Sequence, residues 1–148
     1  MKKFLSLLLF VNLMISCSSD DVNYDAQNEA DIEKYIAENK LDAKKTSSGL
    51  YYVVNKAGTG ENPTSTSNVT VAYKGYYLDG KVFDQNDDGI SFNLQQVIKG
   101  WTEGITYFKE GGEGILLIPS KLGYGSNNYR GIPGGSVLIF DIKLLKVN

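Results

Sequence analysis

Between residues 68 and 84 the chain has few alternatives to a β-hairpin. Val69, Val71 and Tyr73 share one side of the run and Thr70 and Lys74 the other, the period of two that sets one face of a strand on a core and the opposite face in water. Asp79-Gly80 then supplies a tight turn, and Lys81-Val82-Phe83-Asp84 leads back. Further strands are expected at residues 50–54, 90–94 and 115–118, the last stopped by Pro119, and at 137–147, where Leu138, Phe140, Ile142 and Leu144 fall on one face. Polar loops are expected at 58–67 and 85–89, and a long glycine-rich one at 120–135. Helical spacing occurs twice. Ile32, Tyr35 and Ile36 give one short helix over 30–39, and Trp101, Ile105 and Phe108 give a second that closes at Gly111-Gly112. Many strands and one helix within residues 50–148 define an α+β domain, an antiparallel sheet wrapped on a single short helix.

The other end of the chain reads differently. Met1-Lys2-Lys3 precedes an apolar run over residues 4–15, broken only by Ser6 and Asn12, and then Ser16-Cys17. The run is short for a membrane span and has the basic head of an export signal, so residues 1–16 are expected to be a removable leader. Met14-Ile15-Ser16-Cys17 resembles a bacterial lipobox, which implies that Cys17 is acylated and tethers the chain to a membrane in the cell envelope. As the single cysteine, Cys17 can form no internal disulfide. Residues 17–29, beginning Cys17-Ser18-Ser19-Asp20-Asp21, are expected to be a flexible tether, and 30–49 the short helix and a linker.

Composition removes most chemistry from consideration. The chain has no histidine; with the one thiol given to lipid, Ser-His and Cys-His nucleophile pairs and the usual zinc sites are ruled out. Asp84-Gln85-Asn86-Asp87-Asp88-Gly89 matches the first half of a calcium loop, but the twelfth position is Gln95, which cannot supply the bidentate carboxylate. No metal is expected. The glycines at 111–114 and 123–135 match neither dinucleotide nor phosphate-loop spacing. A net charge of −2 leaves no basic stripe for nucleic acid.

Five ordered motifs remain: Val71-Ala72-Tyr73-Lys74-Gly75, Asp79-Gly80-Lys81-Val82-Phe83-Asp84, Gln96-Val97-Ile98-Lys99-Gly100-Trp101, Ile118-Pro119-Ser120-Lys121-Leu122-Gly123-Tyr124-Gly125 and Leu138-Ile139-Phe140-Asp141-Ile142. In order and spacing, over about residues 50–147, they resemble the FKBP-type peptidyl-prolyl cis/trans isomerases. The resemblance implies a half-barrel sheet curled round one helix, with a proline pocket between them. It implies Trp101 as the pocket floor, Tyr73, Phe83 and Phe140 as aromatic walls, and Val97 and Ile98 as a lip whose Ile98 amide holds a substrate carbonyl. Tyr124 matches the family's hydroxyl donor and Asp84 its pocket carboxylate, which either polarises the twisted carbonyl or holds Tyr73. Tyr129, where the family often has histidine, and Ile132 match the loop over the site; Ile90 stands where a phenylalanine is common. The stretch from Asp84 to Ile90 is shorter than in small members of the family and lacks the arginine that often pairs with the carboxylate.

The activity so implied needs neither cofactor nor covalent intermediate. Resonance gives the prolyl amide a rotation barrier of about 18–20 kcal/mol, and a dry pocket shaped for the twisted amide lowers it. The partners implied are proline-containing unfolded or nascent exported polypeptides, with macrolide inhibitors as possible ligands. The alternative is a binding module of the same fold, without turnover, acting as a chaperone or assembly factor.

Overall fold

The computed structural model describes residues 22–148. The expected leader, the expected lipidation site Cys17 and the expected tether as far as Asp21 lie outside them. The elements in chain order are α1 (Asp25–Glu38), β1 (Lys44–Lys45), β2 (Tyr51–Lys56), β3 (Asn68–Tyr76), β4 (Val82–Asn93), α2 (Lys99–Gly104) continued by a 3-10 turn (Ile105–Tyr107), β5 (Glu113–Ile118) and β6 (Leu138–Val147). The strands form one sheet in the order β1-β2-β5-β6-β3-β4, and every pairing is antiparallel. The Asp79-Gly80 turn is present, with Gly80 at φ +87 and the Tyr77 N–H donating to the Lys81 carbonyl at 3.0 Å.

β6 lies between β3 and β5, and at its start, Leu138 to Phe140, both of its faces are buried. Leu138, Phe140, Ile142 and Leu144 meet Trp101, Ile105 and Phe108 in the main core. Ile139 points to the other side, where it packs with Tyr51, Val53, Leu117 and Val137 against Ile32 of α1. The sheet therefore carries α2 on one face and α1 on the other. This is why the central strand is apolar at consecutive positions from Leu138 to Phe140 before it returns to alternation at Asp141.

Three sequence-based boundaries are corrected, at α1, at β4 and at the end of α2. Helix α1 begins at Asp25, not residue 30, so residues 25–29 are not tether. Asp-Ala-Gln-Asn-Glu offers no apolar periodicity, yet Asn28 is buried because its amide pairs with the body of the protein. Residues 85–89, expected as a loop, lie inside the continuous strand β4. There the register jumps: Ile90 faces Val71, but Asn86 rather than Asp88 faces Tyr73. The extra residues are taken up by a bulge in which Gly89 has φ +95 and its N–H donates to Asn86 Oδ1 at 2.9 Å. β4 is an edge strand, so its polar side chains keep their water.

Helix α2 sits close to the sheet because two glycines, four residues apart, face β5. A methyl at Gly100 would lie 2.6 Å from the Ile118 side chain, and one at Gly104 2.7 Å from Leu116. The helix ends earlier than the Gly111-Gly112 signal suggests. Phe108 is already extended, at φ −99 and ψ 152, which drops its ring into the core beside Gly114.

Candidate active site

A cavity of about 510 Å³ opens between α2, the inner face of the sheet and the loop at 120–135. β3 contributes Tyr73, β4 contributes Phe83, Asp84 and Phe92, and β6 contributes Phe140. Gln96, Val97 and Ile98 come from the connection into α2, Trp101 from its first turn, and Tyr124, Tyr129, Arg130 and Ile132 from the loop. Trp101 is only 4% exposed and meets three rings edge-on: Tyr73 at 5.0 Å, Phe92 at 5.4 Å and Phe140 at 5.3 Å between centroids. Edge-to-face contacts suit aromatic quadrupoles and hold each ring against its neighbour. Phe83 extends the wall, edge-on to Phe140 at 5.6 Å. Gly75 makes room for that pair, since a methyl there would lie 2.7 Å from both rings.

Every sequence-predicted pocket residue but one lines this cavity. Ile90 does not: it is 41% exposed on the edge strand, and Phe92, two residues along on the same face, supplies the ring instead. The alternation Ile90-Ser91-Phe92 places both residues on one face, but sequence alone does not say which reaches α2. Gln96 and Arg130 also line the cavity without having been expected there.

The polar groups are few. The Tyr73 hydroxyl donates to Asp84 Oδ2 at 2.7 Å. Ile98 is the N-cap of α2, where its carbonyl accepts from the Trp101 and Thr102 amides at 2.9 and 3.1 Å. Its own N–H donates to no backbone acceptor among the described residues. The Trp101 indole N–H is buried and has no partner among the described residues. Such a group costs about 1–3 kcal/mol when desolvated and unpaired.

The tip of the loop is closed by its own backbone hydrogen bonds. Tyr129 and Ile132 exchange both backbone hydrogen bonds at 2.9 Å. Between them Arg130 and Gly131 have φ +45 and +86, the two positive values of a type I′ turn. The turn presents Tyr129 flat against Tyr124, with centroids 5.0 Å apart and planes 11° apart, and Arg130 lies 5.4 Å from the Tyr129 ring centre.

Burial, then the hydrogen bond to Asp84, then that carboxylate's charge push the Tyr73 phenol far above the ordinary tyrosine range. Burial also raises Tyr124, followed by the charges of Asp84 and Tyr129, while Arg130 pulls it down in part. Both hydroxyls thus remain protonated donors across the neutral range. Tyr76, on the other face, is raised by burial and then by its hydrogen bond to Asp141. A raised value means that the fold keeps a proton which the unfolded chain releases above about pH 10. The stabilisation is complete below that pH and is lost as pH climbs through and past it. Urea midpoints should therefore stay level up to about pH 10 and fall steadily above it; a midpoint that rises there would contradict these environments.

A cavity floored by a tryptophan, walled by an antiparallel sheet and capped by a tyrosine-bearing loop defines a class of half-barrel with its pocket between sheet and helix. The sequence model for the FKBP-type peptidyl-prolyl cis-trans isomerases matches residues 59–145. The chain belongs to that family. It is 42% identical over 131 residues to the FKBP-type peptidyl-prolyl cis-trans isomerase FkpA of Escherichia coli, covering 86% of this chain and 48% of the relative. A probable FkpA of Neisseria meningitidis is 44% identical over 121 residues, 78% of this chain and 44% of the relative. The chain thus spans about half the length of the curated relatives it matches. Among solved structures, the crystal structure of Escherichia coli FkpA superposes with a TM-score of 0.75 at 43% identity, covering 84% of this chain and 61% of that one. A peptidyl-prolyl cis-trans isomerase from Pseudomonas syringae gives 0.73 at 31% identity, covering 86% of this chain and 97% of that one.

Proposed function

We propose that the chain is a peptidyl-prolyl cis/trans isomerase that acts on Xaa-Pro bonds of unfolded, exported polypeptides. The observation that carries this reading is the set of three rings standing edge-on to Trp101 around an open cavity, in a member of the isomerase family. The planar prolyl amide owes part of its stability to charge separation, which water supports. A pyrrolidine seated among Trp101, Phe140, Phe92 and Tyr73 brings its amide out of water. The planar form loses that support, while the twisted form, with less charge separation, loses little. The Ile98 N–H then receives a substrate carbonyl, and the Tyr124 hydroxyl holds the chain on the other side. Val97, Phe83 and Ile132 shape the walls, and Tyr129 supports Tyr124 through their stack. Asp84 acts by fixing the Tyr73 hydroxyl.

The apolar lip of Val97 and Ile98 favours an apolar residue before proline, and the same aromatic hollow would take macrolide inhibitors. The leader and lipobox expected over residues 1–17 support a lipid tether in the cell envelope. Uncatalysed isomerisation takes tens to hundreds of seconds, long enough to delay folding there. The test is line-shape NMR on a short Leu-Pro peptide. Catalytic amounts of the chain should broaden and merge the cis and trans signals. Binding of unfolded protein without faster exchange would instead favour a chaperone-like module.

A further inference from the structure

The 120–135 loop brings Tyr124, Tyr129, Arg130 and Ile132 to the cavity, and both of its stems end on one side chain of the N-terminal helix. Asn28 is 2% exposed. Its Oδ1 accepts from the Ser120 N–H at 2.8 Å and from the Ser120 hydroxyl at 2.7 Å. Its Nδ2 donates to the Gly135 carbonyl at 3.0 Å. Ser120 opens the loop and Gly135 closes it, so a single amide fixes the distance between the two stems. The bonding continues into the loop: the Gly125 N–H donates to the Ser120 carbonyl at 2.8 Å, and the Gly135 N–H to the Gly125 carbonyl at 2.9 Å. Asn28, Ser120, Gly125 and Gly135 thereby close a ring of hydrogen bonds, and Gly125 is the immediate neighbour of Tyr124. Tyr24, just before α1, packs on the same stem, where a methyl at Gly135 would lie 2.5 Å from its ring.

This position is an unlikely one for an asparagine chosen for packing. Ile32 follows one turn later on the same side of α1 and is fully buried in the second core. An apolar residue at 28 would continue that stripe without the desolvation an amide must overcome. The amide is accommodated because both of its ends are paired, and what it pairs with is the support of the loop. We propose that Asn28 is a positioning residue: from the face of the sheet opposite the cavity it sets where Tyr124 and Tyr129 stand over the site. Helix α1 is then part of the support of the active site rather than a spacer. The catalytic half of this proposal rests on the isomerase reading above; the structural half does not.

The test compares Asn28→Ala with Ile32→Ala in the full chain, using amide hydrogen exchange by NMR and peptide isomerisation. Asn28→Ala should speed exchange at Gly125, Tyr129, Ile132 and Gly135 by about ten-fold or more relative to the amides of β3, a local opening rather than a global one. It should lower kcat/KM about ten-fold by misplacing loop groups. Ile32→Ala should speed the slowest amides of β3 and β6 through lost global stability, and leave kcat/KM within about two-fold. Equal acceleration in loop and β3, or a kcat/KM no lower than that of Ile32→Ala, would overturn the proposal. Should Asn28→Ala fail to fold, Ser120→Ala removes one bond of the ring; faster exchange at Gly125 and Gly135 supports the clamp, and unchanged exchange overturns it. If the unsubstituted chain does not isomerise peptides, the isomerase reading fails, while the exchange pattern still decides whether Asn28 holds the loop.

Discussion

Trp101→Ala is expected to cost about 3–5 kcal/mol of stability, the range for removing a large buried aromatic, and to reduce kcat/KM on a Leu-Pro peptide by at least about 100-fold. The indole is the common neighbour of Tyr73, Phe92 and Phe140, each edge-on to it, so its loss removes the cavity floor and frees three walls together. Collapse of those rings would fill the site, and failure to collapse would let water in; either outcome ends the desolvation on which the proposed catalysis depends. Urea unfolding followed by circular dichroism gives the stability, since Trp101 is the only tryptophan and its fluorescence is lost with it. Isomerisation measured well below the new midpoint separates activity from folding. A stable Trp101→Ala chain with undiminished turnover would remove the floor from the mechanism.

The second large effect is at Asp84. Its carboxylate could act through its charge on a twisted carbonyl or through the hydrogen bond that it accepts, and the 2.7 Å contact from the Tyr73 hydroxyl favours the latter. Asp84→Ala should lower kcat/KM by about 10- to 100-fold, because Tyr73 loses the group that fixes its ring against Trp101. Stability should move by less than about 1 kcal/mol, as the residue is exposed and surface substitutions are usually mild. Asp84→Asn keeps an accepting oxygen and removes the charge, so it should retain activity within about three-fold of the unsubstituted chain. If Asn proves as damaging as Ala, the charge itself acts on the substrate and Tyr73 is secondary.

Much of this arrangement could be read in the chain because it is written in local chemistry. The alternation leading to Asp79-Gly80 and the spacing from Trp101 to Phe108 each depend on neighbours in sequence; the hairpin forms where expected, and the helix starts where expected but stops short of Phe108. The features that escaped are those decided by distant partners. Asn28 looks like a solvated residue until Ser120 and Gly135 come to meet it from the far end of the chain. Residues 85–89 look like a loop by composition, and pairing to β3 across a bulge holds them in a strand. Ile139 breaks the alternation of its strand for a helix that packs from behind. Phe92 rather than Ile90 enters the site, and it is the residue nearer the end of β4 that leads into α2, a matter of position in the fold and not of residue type.

The most direct test places the substrate itself. A Leu-Pro peptide bound at saturation should show intermolecular NOEs from the proline ring protons to the Trp101 indole and the Phe140 ring. The Leu side chain should fall near Val97 and Ile98. Contacts confined to Tyr124 and Tyr129, with the indole protons silent at saturation, would put the proline outside the aromatic hollow and contradict the account.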